Sequence, residues 1–139
     1  MTIRPHLKMH ADFPDDCVED DEDIILFPGR NIAEALRDAL GARGYRVSEP
    51  MHAGEHGWEL EAYQDRLRRW IQITQLGDEC IVMTRNMASW LRPDLPAFRR
   101  FLSDLQAVLE ADPRFSRIGW LTKDFSYTDA PPAAGPFDD

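Results

Sequence analysis

Two stretches of this chain carry apolar residues at helical spacing, and the chain between them alternates apolar with polar residues as strands do. Residues 31–43 place Ile32, Ala35, Leu36, Ala39 and Leu40 on one face, which predicts a helix with a single buried stripe. Pro28 and Gly29 stop the short apolar stretch Ile24, Ile25, Leu26, Phe27 just before it, and Asn31 is the expected N-cap. Gly41 and Gly44 lie where the C-terminal cap belongs. The second stripe, Phe98, Phe101, Leu102, Leu105, Val108 and Leu109, is wider. Asp94 is placed to cap that helix, Pro96 falls in the first turn where it costs no hydrogen bond, and Pro113 lies just past the end.

Between the helices, residues 58–63 set Trp58, Leu60 and Ala62 against Glu59, Glu61 and Tyr63, the period of a strand with one buried face. Gln64, Asp65 and Arg66 read as a turn. Residues 67–76 follow, with Ile71 and Ile73 on one face and Trp70, Gln72 and Thr74 on the other. Gly77 and Asp78 make a second turn before the apolar segment 80–84, so consecutive strands form an antiparallel meander. Short extended segments at 45–51 and 117–122 flank it. The expected fold is α+β, a two-layer sandwich whose antiparallel meander sheet of about four to five strands carries two helices packed on one face. The domain is expected over 24–125. An irregular acidic N-terminal segment, 1–23, precedes it, and a Pro- and Ala-rich acidic tail, 126–139, follows.

Charge changes this picture at one place. Eight of the twelve residues 12–23 are acidic and none is basic. The chain carries 25 acidic and 16 basic residues, a net charge of −9, and setting the run's eight carboxylates aside leaves 17 against 16. The negative field therefore belongs to one short segment, and a local anionic patch can select a cationic partner. A length of 139 residues with 43% hydrophobic content suits one domain with its own core. No apolar run approaches the roughly 20 residues that span a bilayer, and residues 1–10 lack the apolar core of a signal peptide. A cytoplasmic protein that does not engage membranes is expected. Cys17 and Cys80 are too few for a disulfide framework and are read as free thiols, Cys80 as a small buried hydrophobe.

The residues that could carry chemistry fall short of known patterns. His52, Glu55 and His56, with Glu59 and Glu61 behind them, are metal-ligand types, but Pro50, Gly54 and Gly57 break any helix that would align them. They are read as a polar loop with solvated histidines. The acidic run lacks the glycine of a calcium loop, and Pro14 interrupts its start. Ser48, Ser89, Ser103, Ser116 and Ser126 lack the glycine-flanked elbow of hydrolases, and Cys17 lies among carboxylates that suppress its thiolate. No metal, no cofactor and no enzymatic activity is expected. Direct nucleic-acid binding is disfavoured by a pI near 4.8. Arg66, Arg68 and Arg69 are expected to pair across the hairpin with Glu59 and Glu61.

These observations point to a small acidic protein-binding module that neutralises a cationic protein partner such as a bacterial toxin, as an inhibitor or immunity-type protein does. The expected contact residues are Asp15, Asp16, Glu19, Asp20, Asp21, Glu22 and Asp23, together with Trp90 and Arg92 as an exposed aromatic–arginine pair. Folding back of Trp90 onto the second helix as a hydrophobic staple is the competing reading. Three alternatives stand beside the first. One is a nucleic-acid-mimic inhibitor of the anti-CRISPR type. Another is a ligand-binding domain with Trp70, Gln72 and Thr74 facing a pocket between sheet and helices. The last is an adaptor whose Ile24–Phe27 stretch adds a strand to another protein.

Overall fold

Buried Leu7, Met9 and Ala11 alternate with half-buried His6, Lys8 and His10, and that period of two makes a strand of the chain just before the acidic run. The computed structural model describes residues 2–88, 91–122 and 131–138. In chain order its elements are β1 (His6–Ala11), β2 (Val18–Glu19), β3 (Ile24–Leu26), α1 (Arg30–Ala42), β4 (Arg46–Val47) and β5 (Met51–His52). There follow β6 (Trp58–Gln64), β7 (Leu67–Leu76), β8 (Glu79–Asn86), α2 (Leu95–Ala111) and β9 (Phe115–Leu121). The class is α+β, with a large antiparallel sheet and two helices.

The main sheet has seven strands rather than four to five, in the order β4-β6-β7-β8-β1-β9, with β5 also paired to β6. Two features enlarge it. The N-terminal segment, expected to lie outside the domain, inserts β1 between β8 and β9, where Leu7 faces Val82 on one side and Trp120 on the other. The edge beside β6 is also split into β4 and β5. Pro50 has no N–H to donate, and the Ser48 hydroxyl accepts the Glu61 N–H at 2.9 Å in place of a ladder carbonyl. The meander β6-β7-β8 lies where the alternation places it, in continuous register from Trp58↔Ile73 to Gln64↔Leu67 and from Arg69↔Asn86 to Leu76↔Glu79.

Both helical stripes join the inward residues of the sheet in one core. Ile32, Leu36 and Leu40 of α1 and Phe101, Leu102, Leu105 and Leu109 of α2 pack with Leu7, Leu60, Ile71, Ile73, Val82 and Trp120. Each such side chain contributes roughly 1.5–3 kcal/mol when fully buried. The space between sheet and helices is therefore filled. Trp70, Gln72 and Thr74, expected to face a pocket there, lie on the opposite face of the sheet. Thr74 donates to the His56 carbonyl at 2.7 Å, and Gln72 donates to Glu59 at 3.3 Å.

The arginines divide by strand parity. Arg68, on the outer face, lies 3.7 Å from Glu61 as a cross-strand pair. Arg69 shares the inward face with Ile71 and Ile73, so it is buried against Phe98 rather than paired with Glu59 or Glu61. Burial holds its guanidinium below the ordinary arginine range.

Part of the expected tail is built onto the domain. Ala133 bridges to Trp120 and Phe137 to Ile3, the Arg4 N–H donates to the Pro136 carbonyl at 2.8 Å, and Arg4 pairs with Asp138. Gly119 permits this approach, because a Cβ there would meet the Pro132 Cβ at 2.4 Å. Residues 126–130 lie outside the described residues.

Candidate functional site

The acidic run is an ordered hairpin. β2 and β3 pair antiparallel, Val18 with Leu26 and Glu19 with Ile24, and the tip between them closes on Asp20. One Asp20 carboxylate oxygen accepts the N–H groups of Glu22 at 2.9 Å and Asp23 at 2.8 Å, and the Asp20 N–H donates to the Asp23 carbonyl. Those backbone donors hold the Asp20 carboxyl below the usual aspartate range, so it stays ionised at any pH near neutral. Asp15 makes a similar turn with the Cys17 N–H at 2.9 Å.

Asp16 fastens the hairpin to the domain. Its two oxygens accept the Gly29 N–H at 2.9 Å and the Asn31 N–H at 2.7 Å. These donors belong to the start of α1, whose cap position is Gly29, at φ 119°, and not Asn31. No side chain at that position caps the helix, so a carboxylate from the preceding hairpin satisfies its orphan donors and meets its positive dipole end. A second attachment runs through β3 to the sheet edge. The Phe27 N–H donates to His52 Nε2 at 3.0 Å, and the Trp58 indole N–H donates to the Phe27 carbonyl at 2.8 Å. His52 lies against both rings, 6.1 Å from Phe27 and 5.1 Å from Trp58. His52 is exposed, as a solvated histidine would be, but it lies in β5 rather than in a loop and fastens the hairpin.

What the hairpin presents outward is mixed. Glu19, Asp20, Asp21, Glu22 and Asp23 are all exposed, and so are Val18, Ile24 and Ile25, the last at 53%. The carboxylates of Glu19, Asp21, Glu22 and Asp23 make no hydrogen bond or ion pair among the described residues. Arg92 is exposed on the loop that leaves the Asn86 end of β8, where Asn86 donates to the Pro93 carbonyl at 2.6 Å. That is the end of the sheet away from the hairpin. Trp90 lies outside the described residues.

A cavity of about 450 Å³ opens at the foot of the hairpin, where β1 leaves the sheet beside the β7–β8 turn. Its polar lining is His10, Asp12, Asp15, Gln75, Asp78 and Ser116. His10 Nδ1 lies 3.8 Å from an Asp78 oxygen. The chain matches no family model, no curated protein and no solved structure.

Local sequence patterns gave no sign of the cavity. Its walls come from four separate segments, and only Asp12, Phe13 and Asp15 belong to the acidic run. Among the described residues no three His, Cys, Asp or Glu side chains are grouped to hold a metal ion. No helix among them is long and apolar enough to cross a membrane.

Proposed function

We propose that the protein is a binding module that uses its acidic hairpin to engage and occlude a cationic protein, in the manner of an inhibitor or immunity-type protein. The observation that carries this reading is that the run's outward carboxylates share one anchored hairpin with exposed Val18, Ile24 and Ile25. Opposite charge steers association and sets register, while buried apolar contact supplies the affinity that slows dissociation. A solvated linker would need neither the Asp16 cap nor the His52 and Trp58 fastenings. Anchoring in advance lowers the ordering cost of binding, which favours a recognition surface.

The test is affinity capture from the native host with the intact chain and with Asp20→Asn, Asp21→Asn, Glu22→Gln and Asp23→Asn combined. Partners bound by the first and lost by the second are expected to be basic proteins. Their association rate should fall steeply as salt is raised past roughly 0.15 M, where the Debye length is about 8 Å. An identical partner set from both baits would remove the hairpin from the mechanism.

A further inference from the structure

We propose that the cavity at the foot of the hairpin receives one arginine side chain of the partner, an inference that rests on the hairpin reading and names what its neighbouring pocket takes. Its volume of about 450 Å³ lies in the range of small-ligand sites and admits one long side chain. Among the described residues the lining includes three carboxylates and no lysine or arginine. Asp12 has no side-chain partner among the described residues, and Asp78 has only His10. The neutral acceptors Gln75, on β7 three residues before Asp78, and Ser116, on β9, join them, so the polar lining is drawn from three separate segments. A guanidinium, with five N–H donors in a planar fork, suits such a spread better than a compact ammonium. Phe13 and Pro28 supply apolar wall for the aliphatic stem.

The register of β9 keeps a cation out of this wall. The β1–β9 ladder starts at His6↔Leu121 and Lys8↔Gly119, and unbroken it would set Arg117 opposite His10. A bulge shifts the register between Lys8 and His10, with Arg117 at φ 52°, so that Ser116 faces His10 instead. A hydroxyl lines the cavity where a guanidinium would have competed with the ligand.

The probes are N-acetyl-arginine amide, N-acetyl-lysine amide and the uncharged isostere N-acetyl-citrulline amide, titrated into the ¹⁵N-labelled full chain. Arginine amide should give saturable shifts at the amides of Gly77, Asp78 and Ser116, at least tenfold tighter than citrulline amide and severalfold tighter than lysine amide. Asp12→Asn with Asp78→Asn should weaken it at least tenfold, and the fourfold tip variant less than threefold, with both variants keeping the native spectrum elsewhere. Shifts confined to residues 19–23, equal response to citrulline or lysine amide, or unchanged affinity in the Asp12/Asp78 variant would overturn the inference. Failed titration beside a tip variant that loses its partner removes only the pocket's role. Successful titration beside an unchanged capture set removes the hairpin reading and leaves the pocket standing.

Discussion

Replacing Asp16 with alanine should destabilise the protein more than any other change in the acidic run. The carboxylate accepts backbone N–H groups at 2.9 and 2.7 Å from the first turn of α1, whose own cap position is a glycine. Loss of a capping side chain costs about 0.5–2 kcal/mol, and loss of a negative charge at the positive end of a helix adds about 0.3–1 kcal/mol. Asp16 is half-buried, so water replaces it poorly, and the expected total is about 1.5–3 kcal/mol. Urea unfolding at neutral pH reads this as a lower midpoint with an unchanged slope. Asp21→Asn, at an exposed position whose carboxylate has no partner among the described residues, should stay within about 0.5 kcal/mol. Hydrogen exchange adds a local readout, because the Gly29 and Asn31 amides should lose protection in the Asp16 variant. A loss below about 0.5 kcal/mol, or equal losses at Asp16 and Asp21, would refute the capping argument.

Gly57 has φ 91°, and a Cβ there would lie 2.2 Å from the Ile73 carbonyl oxygen. Gly57→Ala should therefore cost about 3 kcal/mol or more, and a thermal midpoint within a few degrees of the parent would contradict it. Tyr45→Phe removes a 2.7 Å hydrogen bond to Asp104 from a buried ring and should cost about 1.5–3 kcal/mol in urea unfolding, an unchanged midpoint being the contrary result. Burial pushes the Cys80 thiol up to about 12, and burial with the neighbouring Asp104 raises the Tyr45 phenol, so both keep their protons in the native state while the unfolded chain ionises. Their stabilisation is complete below about pH 9 and falls above it by up to about 1.4 kcal/mol per pH unit for each group, less so in Cys80→Ala. A flat stability profile from about pH 9 to 11 would count against this, as would rapid alkylation of native Cys80 at about pH 8.

The elements most legible in the sequence are those whose pattern is local. Asp94 does cap α2, accepting the Ala97 N–H at 3.2 Å, and the β6-β7-β8 meander follows from alternation and short turns. Arg69 is expected from its charge to pair outward, but it has the parity of Ile71 and Ile73, and burial against Phe98 of α2 prevails. β1 alternates as clearly as β6. Its partners β8 and β9, however, lie about seventy and a hundred residues away, so no adjacent turn marks it as part of a sheet. The cap of α1 is not legible at Asn31 for a related reason: its acceptor, Asp16, is fifteen residues from Asn31 rather than at the helix start.

The acidic run shows where composition stops being informative. Counted in sequence, its eight carboxylates are equivalent. In the fold, Asp15, Asp16 and Asp20 spend oxygens on backbone N–H groups, while Asp12, Glu19, Asp21, Glu22 and Asp23 have none so engaged among the described residues. Substitution in the second set should alter binding with little effect on stability, because exposed charges contribute little to folding but much to encounter. Substitution of Asp16 should alter both, since it loosens the hairpin that carries the others. A linker solvated along its length would show no such division, so the contrast between the two sets tests whether this run was built as a surface.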